Sequence, residues 1–180
     1  MQKIIYPKVK CARCGNCCRE PVVPITHKDL ARLIKSTGRA VREIVRFCPL
    51  SEMEYDPEAG LWITFGASKR AMVLRRRSGG CIFQTDQNAC SVYAARPQTC
   101  RTFPYSVHFE DKGDKTVSEI SLNDILNCNV IKCSKVDIDA IINDVRKENR
   151  DDKEYYKLVK RWNDLNSTGT TKDFLQFIGF

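Results

Sequence analysis

The chain is 180 residues and 20.6 kDa, a length that suits one domain with its own core. Apolar residues make up 42% and charged residues 29%, with no apolar run long enough to span a bilayer, which excludes a transmembrane helix and argues against wholesale disorder. A formal charge of +8 ordinarily points to nucleic acid or an anionic surface, yet ionisation of eight of the ten cysteines as thiolates, with two divalent metal centres added back, would leave only about +4, so part of the basic excess balances thiolate charge. The opening Met1-Gln-Lys-Ile-Ile-Tyr-Pro has neither a signal-length apolar stretch nor a small-residue cleavage site, so a cytoplasmic location is expected.

Along the chain, Thr26-His-Lys-Asp29 is a capping signature ahead of Leu30, Leu33 and Ile34, and predicts a helix from Thr26 to Thr37 broken by Gly38. Val41, Ile44, Val45 and Phe47 suggest a second short helix that ends before Pro49. Two aliphatic and aromatic runs, Leu61 to Phe65 and Ala71 to Leu74, flank Gly66-Ala-Ser-Lys-Arg70 and read as a hairpin. A further hairpin is predicted from Tyr105 to Phe109 and Thr116 to Ile120, turning across Asp111-Lys-Gly-Asp114 with its glycine at positive φ. Ser134-Lys-Val-Asp137 resembles another helix start. The apolar positions Ile138, Ile141, Ile142 and Val145, then Tyr155, Leu158, Val159 and Trp162, predict two helices or one bent helix about the charged run Arg146 to Glu154. After a turn at Asn166 to Thr170, Phe174, Phe177, Ile178 and Phe180 form an apolar tail able to dock on the domain.

The expected fold is therefore α+β, a small single domain over residues 1–180 in which short helices and one or two β-hairpins surround a cysteine-ligated metal core. Residues 8–133 form the cysteine-cluster region and 134–180 a helical C-terminal extension.

Ten cysteines are too few for a small disulfide-stapled secreted domain and many for a chain whose thiols stay reduced, so metal binding is the leading reading. Cys11-Ala-Arg-Cys14-Gly-Asn-Cys17-Cys18 places four thiols within eight residues. Cys81 and Cys90 bracket an eight-residue segment, Cys100 follows Arg96-Pro-Gln-Thr, and Cys128 and Cys133 come last. Soft thiolates select zinc or iron–sulfur over magnesium or calcium. Cys11 with Cys14 matches half of a tetrahedral zinc site, whereas the evenly spaced Cys11, Cys14 and Cys17 match three corners of an iron–sulfur cluster, and this tripod inclines the reading towards iron–sulfur. Adjacent Cys17 and Cys18 point apart on most backbones and could serve two centres. Gly15, Gly79 and Gly80 would let backbone N–H groups approach sulfur, and Arg13, Arg19, Arg96 and Arg101 either offset thiolate charge or make ordinary surface ion pairs.

The pattern Cys11-x2-Cys14-x2-Cys17-Cys18, Cys81-x8-Cys90, Tyr93-x2-Arg96-Pro97-x2-Cys100-Arg101-x-Phe103-Pro104 resembles the CxxCxxCC family of zinc- or iron-chelating domains, to which YkgJ-type proteins belong, over about residues 8 to 133. The resemblance implies a metal-chelating domain and the ligand set Cys11, Cys14, Cys17, Cys18, Cys81, Cys90, Cys100 and Cys128, with Cys133 as the alternative to Cys128. Cys48 lies outside the pattern and reads as a small buried hydrophobe.

Three functional readings follow. The first is a metal-binding protein with two centres, zinc or iron–sulfur, structural or redox, whose surface takes a protein partner. The second is an iron–sulfur-dependent modifying enzyme resembling the flagellin lysine N-methylases, although no G-x-G-x-x-G loop for a nucleoside cofactor and no Cys-x3-Cys-x2-Cys radical motif is present. The third is a zinc-ribbon-like nucleic-acid-binding module using Lys69, Arg70, Arg75, Arg76 and Arg77, a stretch that reads more readily as a solvated edge strand. Cysteine–histidine catalysis would have to draw on His27 or His108, which ordinary surface or packing roles explain better. No membrane partner is expected.

Overall fold

The computed structural model describes residues 5–19, 22–111, 113, 115–123, 129–166 and 168–180. In chain order the elements are β1 (Val9–Cys11), α1 (Asn16–Arg19), α2 (His27–Thr37), α3 (Val41–Ile44), β2 (Val45–Pro49), β3 (Ile63–Phe65), β4 (Ser68–Leu74), β5 (Arg76–Arg77), β6 (Gly80–Cys81), α4 (Gln98–Thr102), β7 (Tyr105–Phe109), β8 (Val117–Leu122), β9 (Val130–Lys132), α5 (Ile138–Asn166) and α6 (Thr171–Phe177). Short helices, one long helix (α5) and small antiparallel sheets make an α+β fold. Among the described residues no helix is long and apolar enough to cross a membrane. The chain folds as two compact units, one of Met1–Pro21 with Phe83–Asn149, the other of Val22–Ile82 with Arg150–Phe180.

The second unit is built on the sheet β2-β4-β3. Helix α2 matches its sequence signature: the Thr26 hydroxyl accepts from the Asp29 N–H, the Asp29 carboxylate accepts from the Thr26 N–H at 3.0 Å, and Gly38 closes the helix at φ 67° with its N–H on the Ile34 carbonyl. The predicted second helix is cut short. Only Val41–Ile44 is helical, and Val45–Pro49 is a strand paired with β4, Val45 opposite Leu74 and Phe47 opposite Met72. The β-branched and aromatic residues after Ile44 gain a full ladder from β4, which one more turn of helix cannot match. The β3–β4 hairpin is tighter than predicted, since β4 begins at Ser68 opposite Phe65 and only Gly66 and Ala67 remain to turn, with Gly66 at φ 59°.

Packed on this sheet are Cys48, Met53, Leu61, Trp62, Ala71 and Val73. Phe174 of α6 is fully buried, with its ring edge-on to Trp162 at 5.3 Å, Phe47 at 6.1 Å and Phe65 at 6.2 Å, so the apolar tail docks as a helix capped by Thr170 and Asp173. The outer edge of β3 is closed by side chains of α5. Asn163 accepts from the Thr64 N–H at 2.8 Å and donates to the Trp62 carbonyl at 2.9 Å, while the Trp162 indole donates to the Thr64 carbonyl at 2.9 Å.

An acidic group sits where α2 meets α5. Asp29 pairs with Arg32, and Lys28 bridges Asp151 at 3.0 Å and Glu154 at 2.6 Å. Burial, then the negative Asp29 and Asp151, pushes the Asp152 carboxyl up to about 6. A raised carboxyl binds its proton more tightly in the folded state. Its stabilising contribution is complete below the unfolded value near 4 and is lost as pH rises through about 6. The Asp152→Asn variant should therefore be more stable than wild type above pH 6, by about 3 kcal/mol. It should also lose much of the fall in stability between pH 4 and 6. Urea denaturation across that range checks both, and parallel pH profiles would contradict the assignment.

The first unit is organised by Tyr105. Its buried hydroxyl accepts from the Val9 N–H at 3.1 Å and lies 2.8 Å from the Val9 carbonyl and 2.7 Å from the Pro7 carbonyl, while its ring packs with Val9 and Ile120 under Ile138, Ile141 and Ile142. The β7–β8 hairpin forms as predicted, its first strand at Tyr105–Phe109 and its second at Val117–Leu122 rather than Thr116 to Ile120. Its turn is held by the Asp111 carboxylate, which accepts from the Gly113 and Lys115 N–H groups at 2.9 and 3.1 Å. Lys112 and Asp114 of that predicted turn lie outside the described residues. Pairing of β1 with β9 was not predicted. Helix α5 begins at Ile138, with Asp137 rather than Ser134 accepting the Ala140 N–H, and it runs unbroken through the charged stretch, which contains no glycine or proline to interrupt it.

Candidate metal centre

Of the eight predicted ligands, Cys11, Cys14, Cys17, Cys18, Cys90 and Cys100 belong to the first unit, as does Cys133. Cys81 belongs to the second unit, buried in the β5–β6 hairpin opposite Arg76, and Cys128 lies outside the described residues. All the described cysteines are free thiols. Among the described residues no three cysteine, histidine or carboxylate side chains close into a ligand cage.

The first four thiols ride on a tightly wound loop. Arg13 at φ 56° and Gly15 at φ 80° are both left-handed, which curls the backbone so that the Arg13 N–H donates to the Cys11 sulfur at 3.3 Å and the Cys18 N–H to the Gly15 carbonyl at 2.9 Å. Gly15 is required by its φ, and a Cβ there would also push the Gln84 side-chain nitrogen, 2.6 Å away, off its bond to the loop. Gln84 and Asn88 brace the loop: Gln84 donates to the Gly15 carbonyl at 3.5 Å and to Asn88 at 3.3 Å, and Arg19 donates to Asn88 and to Asn16. Gln84 also forms a β-bridge with Cys90, so one residue touches both the four-thiol loop and a later cysteine.

Cys17 is shifted towards the thiolate form. A hydrogen bond from Cys18, aided by the positive charge of Arg96, outweighs burial and brings its thiol down to about 7. Cys90 feels the Cys17 charge and is raised, mainly by burial. Cys100 sits in α4, where its N–H donates to the Pro97 carbonyl at 3.0 Å.

The arginines do more than balance charge. Arg96 donates to the Tyr93 carbonyl at 3.1 Å and the Cys100 carbonyl at 2.9 Å and stacks over the Tyr93 ring at 3.9 Å; Arg101 donates to the carbonyls of Arg96 and Ala94. Arg13 also lies over Tyr93, at 4.8 Å. Tyr93-x2-Arg96-Pro97-x2-Cys100-Arg101 is thus a hydrogen-bonded turn that fixes the path from Cys90 to Cys100. Its spacing was visible in sequence, but Gln84 and Asn88 carried no such signal. Gly79, at φ 92°, serves the β5–β6 turn. His27 lies in α2 of the second unit, and His108 is exposed on β7.

Cys48, outside the cysteine pattern, is fully buried in the second unit with its thiol 3.5 Å from Glu52, and burial raises it away from the thiolate form. The donor set suits a soft metal: thiols alone, one of them ionising near neutral pH, with a backbone N–H already directed at a sulfur.

A small α+β domain with a thiol-rich loop braced on a hydrogen-bonded turn is the class these features define. The chain belongs to the CxxCxxCC family, described as a putative zinc- or iron-chelating domain, whose pattern matches residues 10–129. No curated protein and no solved structure matches the chain significantly.

Proposed function

We propose that the protein holds zinc or an iron–sulfur cluster at two thiolate centres drawn from Cys11, Cys14, Cys17, Cys18, Cys81, Cys90, Cys100 and Cys128, and that the metal-bound domain presents a surface to a protein partner. The observation that carries this reading is the wound loop at Cys11 to Cys18, where Cys17 ionises near pH 7 beside Cys18 and a backbone N–H points at Cys11. Bound metal would supply a crosslink between thiolates of distant sequence and, if it is iron–sulfur, a one-electron redox couple. The residues themselves supply charge and geometry: Arg96 favours the thiolate form of Cys17, and Gln84 fixes the loop against Cys90.

The test is metal and acid-labile sulfide analysis, with a visible spectrum, on protein purified without oxygen and without added metal. The tripod spacing of Cys11, Cys14 and Cys17 leads to the expectation of iron with matching sulfide and a broad visible band. About two zincs per chain and no colour would make the metal a structural scaffold instead. Protein that folds with neither metal would overturn the proposal.

A further inference from the structure

Strand β9 offers an open edge, and its hydrogen-bond parity identifies the groups on it. In the β1–β9 pair the Cys133 N–H donates to the Lys8 carbonyl at 3.0 Å and the Ala12 N–H to the Asn129 carbonyl at 3.2 Å. Antiparallel pairs alternate between hydrogen-bonded and non-bonded positions, so Lys10 and Ile131 face each other with their bonds turned inward. Val130 and Lys132 then turn their N–H and C=O groups away from β1. The same parity holds on β1, where the outward groups of Val9 are taken by the Tyr105 hydroxyl. On the β1 side Tyr105 therefore closes the edge at Val9, and among the described residues no strand pairs with the β9 side.

The surroundings of the open edge are both apolar and basic. Val130 is 37% exposed, Ile131 47% and Ile5, just ahead of β1, 91%, in a chain with few large hydrophobics so exposed. Lys8, Lys10 and Lys132 are exposed beside them. Lysines at a sheet edge oppose pairing with a second copy of the same edge, because like charges would meet. They do not oppose a strand of opposite charge, and exposed Val130 and Ile131 give such a strand apolar area to cover.

We propose that β9 is a docking edge for an extended acidic and apolar segment of a partner protein, which adds as a third strand on Val130 and Lys132. This deepens the partner half of the function proposed above. Main-chain bonds would supply affinity, and the three lysines and exposed aliphatic residues would select sequence.

The probe is a blocked Glu-Val-Glu-Val-Glu-Val peptide, compared with its Lys-Val-Lys-Val-Lys-Val counterpart, on the full metal-loaded chain with metal content measured on the same samples. The acidic peptide should slow amide exchange at Val130 and Lys132 by about tenfold or more. The basic peptide should bind at least about tenfold more weakly. Val130→Pro removes an outward N–H while leaving the Ile131 bonds to β1, so it should abolish binding with metal content and circular dichroism unchanged. Lys132→Glu, which keeps the backbone, should weaken the acidic peptide and strengthen the basic one. Equal binding of the two peptides, undiminished binding by Val130→Pro, absence of binding, or a concentration-dependent dimer that Val130→Pro dissolves would each overturn the docking edge. Metal-free protein that still binds the acidic peptide at β9 would sink the metal reading and leave this one standing.

Discussion

Replacing Cys17 by serine is expected to leave a protein that is metal-depleted and largely insoluble, whereas Cys48→Ser remains folded with full metal content. Cys17 is a thiol pulled down to about 7 by Cys18 and Arg96, and serine offers a metal no comparable soft anion. Metal binding at a structural thiolate site is worth about 10 kcal/mol or more, comparable with the whole stability of a domain of this size. Losing one ligand of four therefore threatens the fold of the first unit itself. Cys48 is the matched control because it is just as cysteine-like in sequence yet buried among apolar residues of the second unit, where Glu52 stands ready to accept from the serine hydroxyl. The check is metal content per folded chain in the soluble fraction. Equal values in the two variants would remove Cys17 from the ligand set.

The second large effect is expected at Trp162. The indole is buried, packs edge-on to Phe174 and donates to the Thr64 carbonyl, so it joins α5, α6 and the β3 edge in one place. Trp162→Ala should destabilise the second unit by about 3–5 kcal/mol, from lost burial and the cavity left among Phe65, Phe174 and Phe177. Trp162→Phe retains most of the ring contact and loses the N–H, which should cost about 1 kcal/mol together with an unpaired carbonyl on Thr64. Urea midpoints of the two variants separate packing from hydrogen bonding. A difference between them of less than about 1 kcal/mol would mean that the site collapses around the missing ring.

Arg96 shows how far a sequence reading of charge extends. From spacing alone it is a positive group close to Cys100 and thus a plausible counter-charge. In the folded chain it also donates to two backbone carbonyls and covers Tyr93, so it shapes the turn that presents Cys100. A guanidinium has a planar fork of donors suited to that work, and a lysine at this position would not reproduce it.

What the sequence alone determined is local. The capping box at Thr26, the Gly38 stop, the aliphatic runs of the two hairpins and the spacing of the thiols are satisfied by neighbours within a few residues, so their physics is written in contiguous text. The tertiary structure decided what depends on distant partners. Val45 to Pro49 became a strand because β4 lay beside it, β1 found β9 across more than a hundred residues, Gln84 came to brace Gly15, and Asn163 closed the β3 edge. Each of these is a hydrogen bond or ladder whose second half lies far along the chain, and no local spacing rule carries it. The four-thiol loop sits at the border between the two kinds of information: its spacing names the ligand chemistry, and only the left-handed turns at Arg13 and Gly15, held by Gln84 and Asn88, decide where those sulfurs stand.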